Sequence, residues 1–291
     1  MSDRASEFGF ALHWEYGTIP GMRNARYVGL LMATLLVAGS VLIRPEPVRA
    51  DNPTSLSAYW KPSISRWAET IERYATQRGI DPNFVAAIIV EESKGDPNTV
   101  SLAGAVGLMQ VMPYEAGFTW RPTAAALKDP AQNLAAGTQT LSQVIRQAQG
   151  RIYLALLAYN SGWDQIYLHR PRTFARKVLD HYARSILMDA GTNLEQLRGW
   201  TLIMAAHSSA GPIQADRLRD DGEFEPLPDL DPAFNPTNAP HAVAFATIDP
   251  KYTAWWVDVW VFPTLKQPVA SSDPNVEVNR RDRELHTENF H

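Results

Sequence analysis

The chain has 291 residues, 45% hydrophobic and 20% charged, with a formal net charge of -4 and no cysteine. That length and balance support one large or two small cores and exclude pervasive disorder and a polytopic membrane protein. The acidic balance, with no basic block, argues against nucleic acid as an obligate partner, and disulfide or thiol chemistry is ruled out.

From Tyr27 to Ile43 there is no charged residue, Leu, Val, Met and Ala dominate, and Arg23 and Arg26 stand ahead of the run. Residues 1-50 therefore read as a long lead plus an export segment. Val48-Arg49-Ala50 offers a small-residue cleavage site, which would start the mature chain near Asp51. The 27-43 run also reaches the short end of the ~17–25 residues a bilayer span needs, so a retained anchor is the alternative. Met22 followed by Arg23 makes a more usual start than Met1.

After a polar linker over 51-61, Pro62 and Ser63 open a helix with Ile64, Trp67, Ala68, Ile71, Tyr74 and Ala75 on one face, stopped by Gly79. Asp81 as N-cap and Pro82 at the first helical position launch Phe84 to Ser93, an almost wholly apolar helix with Glu91 and Glu92 at its far end. Such a helix belongs in a core, and its burial brings a carboxyl to the floor of a cleft. Periodicity does not choose between the two glutamates. Gly104 and Gly107 permit positive φ or close approach to a bound chain, and Leu108, Met109 and Gln110 read as the restart of a helix.

The segment 114–128 is irregular and reads as cleft rim. Asp129-Pro130 opens a helix with Leu134, Gly137 and Leu141 inward. Ile152 to Tyr159 is a second buried helix, ending in Tyr159-Asn160-Ser161-Gly162, and Thr173 to Leu187 follows with Phe174, Val178, Leu179, Tyr182 and Ile186 inside. Beyond Trp200, strands are expected at Thr201–Met204, His241–Phe245 and Ala254–Phe262, separated by an acidic, proline-rich loop over Asp220–Pro240. Residues 191-268 thus form a smaller β-containing region, in which Trp255, Trp256 and Trp260 read as core before sugar platforms. Residues 269-291 read as a disordered tail. His207 with Ser208 and Ser209 lacks the strand-turn-helix setting of a serine hydrolase, and His169, His181 and His241 lack ligand spacing, so neither a metal nor a cofactor is expected.

Glu92, Ser93, Pro97, Ser101 and Gly104-Ala105-Val106-Gly107-Leu108-Met109-Gln110 stand at the spacing of the soluble lytic transglycosylase signature. The chain resembles that family from about Asp81 to Leu187, the match continuing through Asp129-Pro130, Asn133, Gly137, Leu141 and Tyr159-Asn160. The resemblance implies a mainly α fold, with a lysozyme-like helical domain over 62-190 followed by the smaller β-containing region. It selects Glu92 as the catalytic residue and leaves Glu91 facing solvent. It also implies that Ser101 bonds the carboxyl or the sugar, that Gln110 binds an N-acetyl group, and that Met109, Tyr159 and Asn160 line the substrate site. There are two departures. Phe174 stands where the family has a Tyr, and Gly95 where an aromatic residue is usual.

The activity implied is cleavage of the β-1,4 bond between N-acetylmuramic acid and N-acetylglucosamine in peptidoglycan, outside the cytoplasm, with the glycan strand as partner and the membrane touched only by an uncleaved N-terminus. One Glu protonates the leaving oxygen, then as carboxylate takes the proton of the muramic C6 hydroxyl, closing a 1,6-anhydro ring without water. A neighbouring internal nucleophile makes a second acid dispensable. Glu92 must then hold its proton near neutral pH, with Val85, Ile88 and Ile89 as the apolar surround. The rivals are a hydrolytic muramidase using Asp96, Glu115 or Asp164 to direct water, and a non-catalytic glycan-binding protein that keeps the fold.

Overall fold

The computed structural model describes residues 55–208, 211–231, 234–247 and 255–266, which belong to one compact unit. The export segment, its cleavage site and the expected tail lie outside the described residues. Among the described residues, no helix is long and apolar enough to cross a membrane.

Where one helix was expected after Pro62, there are two: α1 (Pro62–Ser65) and α2 (Ala68–Gln77). The chain breaks at Arg66 and Trp67, whose side chains both donate to the Gly95 carbonyl, at 2.7 and 3.0 Å. The helix α3 (Pro82–Ser93) starts at Asp81, whose carboxylate accepts from Asn83 N at 2.8 Å, and every residue from Phe84 to Ile89 is fully buried. It ends on left-handed Lys94 (φ 56) and Gly95 (φ +87). A Cβ on residue 95 would sit 2.1 Å from the Ser63 carbonyl oxygen. The backbone of α1 therefore occupies the space into which an aromatic side chain there would have to start.

Two more helices, α4 (Pro130–Gln147), capped by Asp129, and α5 (Ile152–Ser161), lead to α6 (His169–Asp189). This last helix begins four residues before the expected Thr173, because Pro171 falls within the first turn, where a missing N–H removes no helical bond. It packs on α3 and α5, and α4 packs on α5 and α2.

The C-terminal part is a five-stranded antiparallel sheet in the order β3-β2-β1-β5-β4, built from β1 (Leu197–Ser208), β2 (Gly211–Arg219), β3 (Phe224–Pro226), β4 (His241–Thr247) and β5 (Trp255–Leu265). Two strands, β2 and β3, were not expected, and β3 lies inside the segment read as loop. One sheet face carries Leu202, Met204, Val257, Val259 and Val261 into the same core as the helices. The other buries Ala205 and Trp260 under Leu227, Leu230 and Phe234 from the proline-rich segment.

Polar ties cross the helix–sheet boundary. The Arg151 guanidinium makes a two-pronged contact with the buried Asp216 carboxylate (3.2 and 2.9 Å), and Trp200 Nε1 donates to Asp180 Oδ1 (2.8 Å). The edge strand β4 pairs with the segment that enters α3: Asp81 N donates to the Ala244 carbonyl at 3.1 Å and Ala246 N to the Gly79 carbonyl at 2.7 Å. At Gly79 (φ +67) a Cβ would lie 1.8 Å from the Ala246 oxygen, so only glycine lets the two backbones meet.

Candidate active site

Consecutive residues on a helix point about 100° apart, and at the end of α3 this gives two glutamates opposite environments. Glu91 does not face solvent as expected. Its side chain is 13% exposed and lies 3.5 Å from Lys177 Nζ and 3.4 Å from His181 Nε2, both on α6. The contact with His181, helped by the charge of Lys177, outweighs burial and holds Glu91 below the usual carboxylate range. Glu92 is partly buried, and among the described residues its carboxyl has neither a hydrogen-bond nor an ion-pair partner within contact distance. Burial pushes it up to about 8, the charge of Arg170 opposing and that of Glu91 assisting. Two adjacent carboxyls thus sit on opposite sides of neutrality.

Facing α3 is the loop from Thr99 to Val111. Val106 pairs across to Val100 and Val111, Gly107 (φ +82) and Gln110 (φ +49) are left-handed, and Gly107 N donates to the Thr99 carbonyl at 2.8 Å. Leu108 to Gln110 are therefore turns, not the expected helix. With positive φ on either side and a backbone pairing to close, the chain has no room for a helical turn.

Side chains from three helices fix this loop at successive backbone atoms. Ser93 Oγ donates to the Leu108 carbonyl (2.9 Å), Met109 N donates to Asn133 Oδ1 (2.8 Å), and Tyr159 Oη donates to the Met109 carbonyl (2.8 Å). Fully buried Asn133 also donates from Nδ2 to the carbonyls of Val106 (2.7 Å) and Leu127 (2.9 Å). The sequence reading placed Asn133 only as part of a packed helix. An amide on the inner face of a helix, with no local backbone group to bond, was the available signal that it serves a distant segment.

The proposed substrate residues separate on this frame. Met109 is a correction, since its side chain is fully buried and packed on Gly137, where a Cβ would stand 2.5 Å from its Sδ. Gln110 Nε2 is turned back into the loop, donating to the carbonyls of Thr99 (3.1 Å) and Gly107 (3.0 Å). Ser101 Oγ accepts from Ala105 N (3.0 Å), leaving its own proton to donate. Burial and the neighbouring Glu92 carboxyl hold the Tyr159 phenol protonated, with the Arg121 guanidinium beside it. Asn160 Oδ1 is buried without a hydrogen-bond partner among the described residues.

Phe174 is buried and carries no hydroxyl toward Glu92. Tyr182 cannot replace one, because its Oη donates to Asp81 Oδ2 at the opposite end of α3 (2.7 Å). Of the other carboxylates, Asp96 accepts from Asn98 N in its own turn and Glu115 from Ala124 N, both at 2.9 Å, and Asp164 is exposed. Among the described residues no group of three or more His, Asp or Glu side chains is placed to hold a metal ion.

Residues 69–176 match the family model described as the transglycosylase SLT domain. The chain is 39% identical over 100 residues to a transglycosylase of Enterobacteria phage PRD1, covering 34% of this chain and 36% of that protein. It is 33% identical over 134 residues to the endo-type membrane-bound lytic murein transglycosylase A of Salmonella paratyphi B, covering 41% and 63%. The chain thus spans less than two thirds of these curated relatives' lengths. A crystal structure of the lytic transglycosylase Slt of Pseudomonas aeruginosa, an inactive mutant, superposes with a TM-score of 0.39 at 26% identity, covering 45% of this chain and 25% of that one, too loose a fit to bear on the site. The segment that holds Glu92, the glycine loop and Tyr159-Asn160 thus falls within the part of the chain that is similar to the transglycosylase SLT domain.

Proposed function

We propose that the protein is an exported peptidoglycan lytic transglycosylase that cuts the bond between N-acetylmuramic acid and N-acetylglucosamine and leaves a 1,6-anhydromuramic end, with Glu92 as acid and then base. The observation that carries this is the state of Glu92: an unpartnered, partly buried carboxyl pushed up to about 8 enters the reaction with its proton on. It gives the proton to the leaving oxygen, and the carboxylate so formed takes the proton of the C6 hydroxyl as that oxygen closes on the anomeric carbon. Atoms balance without water, and Glu92 ends protonated.

The other residues bind and orient. Asn160 Oδ1 would accept from an amide N–H of the sugar, Ser101 Oγ would donate to the sugar, and Gln110, its Nε2 held by the Thr99 and Gly107 carbonyls, would offer Oε1 to an N-acetyl N–H. The Tyr159 hydroxyl, bonded to the Met109 carbonyl, holds the loop in place under the sugar. The carboxylates weighed for directing water support the single-acid reading, since Asp96 and Glu115 are tied to backbone N–H groups and Asp164 is exposed.

Mass analysis of muropeptides released from purified sacculi tests the reading, with Glu92→Gln as control. Wild type is expected to release products lighter by one water than hydrolysis products, and Glu92→Gln none above background. Products with ordinary reducing ends would make the enzyme a muramidase. Equal, negligible release by both proteins, with retained binding to sacculi, would make it a glycan-binding protein.

A further inference from the structure

Single exposed aromatic side chains scattered over a surface need no explanation, but here they are not scattered. Among the described residues, the exposed aromatics are Tyr114, Trp120, Trp163 and Tyr167. The first two lie on the segment that continues the glycine loop beyond Val111, and the last two on the connection that leads from Tyr159-Asn160 to α6. Trp163 is tied through its Nε1, which donates to Gln147 Oε1 at 2.9 Å. Trp120 is different: it is 70% exposed, and its place is fixed by ring contacts alone. The indole meets Phe118 edge-on, with centroids 5.5 Å apart and planes at 87°, and the Arg121 guanidinium covers the Phe118 ring at 4.8 Å. Arg121 Nη1 donates to the Met112 carbonyl at 3.4 Å, Arg121 N to the Phe118 carbonyl at 2.9 Å, and Tyr114 N to the Pro122 carbonyl at 2.9 Å. A turn closed on itself thus holds a bare indole next to the loop that Ser93, Asn133 and Tyr159 fix.

We propose that Trp120 is a stacking platform for a sugar ring of the glycan strand outside the bond that is cut, which makes it a specificity-determining residue for strand length. The inference rests on the chain acting on peptidoglycan strands. Glu92 is partly buried and Trp120 mostly exposed, so a ring lying on the indole is not the one whose oxygen meets the Glu92 carboxyl. A pyranose ring carries C–H groups on its faces and hydroxyls around its rim, and an indole face matches the first while polar neighbours match the second. A lipid or protein surface would ask for a contiguous apolar patch, whereas the same turn carries Glu115, Thr119, Arg121 and Thr123. Because Phe118 already holds the indole, little side-chain freedom is lost when a sugar stacks on it.

The test uses peptide-free glycan strands, prepared from sacculi with an amidase and sorted by length, and measures binding on the Glu92→Gln background so that nothing is cut. Adding Trp120→Ala is expected to weaken binding of long strands ~5- to 30-fold and of tetrasaccharides much less, and Trp120→Phe, which keeps a ring, to recover most of the loss. With Glu92 in place, Trp120→Ala is expected to raise KM for long strands by the same factor and to lower kcat less. Unchanged binding of long strands would overturn the proposal, and so would an equal loss for both lengths, the mark of a residue that only supports the turn. Vesicles of phosphatidylethanolamine and phosphatidylglycerol that retain wild type and release Trp120→Ala, with strand binding unchanged, would make the indole a membrane contact instead. The two readings fail separately: a Glu92→Gln protein that still cuts refutes Glu92 as the acid, and the KM comparison between strand lengths still decides the part of Trp120.

Discussion

At the scale of single residues, the site depends on an acid that the fold keeps uncharged, at a cost in stability where an unfolded glutamate would be ionised. The folded-state value of Glu92 is raised above that of an unfolded glutamate, so its burial costs nothing below about pH 4.5 and costs progressively more as pH rises through about 8. Glu92→Gln removes that cost. Besides losing activity by at least ~1000-fold, the variant is expected to unfold at higher denaturant than wild type by up to ~3 kcal/mol at pH 7, the gain vanishing near pH 4. Urea titrations at pH 4 and pH 7 check it, and a Glu92→Gln protein less stable at both would contradict the raised value. The sequence made one of the two glutamates a candidate, and motif spacing chose between them. Their contrasting surroundings come from α6, far along the chain, and no local pattern around Glu91 announces Lys177 and His181.

At the scale of elements, the helices could be read from caps and periodicity, because Asp81-Pro82 and Asp129-Pro130 act within their own turns. The loop from Thr99 to Val111 could not, since its conformation is imposed by Ser93, Asn133 and Tyr159 from three helices. Asn133→Ala removes the acceptor for Met109 N and the donor for the Val106 and Leu127 carbonyls, all in a fully buried place. It is expected to cost ~2–4 kcal/mol of stability and to lower kcat more than any single loop contact would. Thermal unfolding and single-turnover kinetics measure the two effects, and a neutral result would deny the loop its dependence on α4. β2 escaped sequence reading because Gln214, Asp216, Arg217 and Arg219 give it a polar surface, whereas its pairing with β1 and the contact of Asp216 with Arg151 are long-range facts.

At the scale of the whole molecule, helices and sheet share one hydrophobic core. Val257, Val259 and Val261 of β5 and Leu202 and Met204 of β1 are buried in it alongside Leu179 and Leu187 of α6. Strand patterns after Trp200 show that a sheet exists but carry no sign of what covers it. A chain ended at Gly191 would uncover that core and leave Arg151, Asp180 and Arg146 without Asp216, Trp200 and Thr247. Such a truncation is expected to be insoluble or to lose fixed tertiary structure by near-UV circular dichroism, although it retains every residue of the matched domain. A soluble, active fragment would show the helices to be self-sufficient. Gly79→Ala probes the same dependence more gently, because its methyl group would meet the Ala246 oxygen at 1.8 Å in a backbone already at φ +67. A loss of ~2–4 kcal/mol is expected from that pair of faults.

The pairing of β4 with Gly79, Ile80 and Asp81 has one more effect. A sheet margin left bare invites other polypeptides to stack onto it, the usual route from a folded protein to fibres and clumps. Here that margin is covered by the few residues that lead into the glutamate-bearing helix. Any lesion that frays the approach to that helix therefore also uncovers a sticky seam, so partial inactivation and self-association should arrive together in weakened variants.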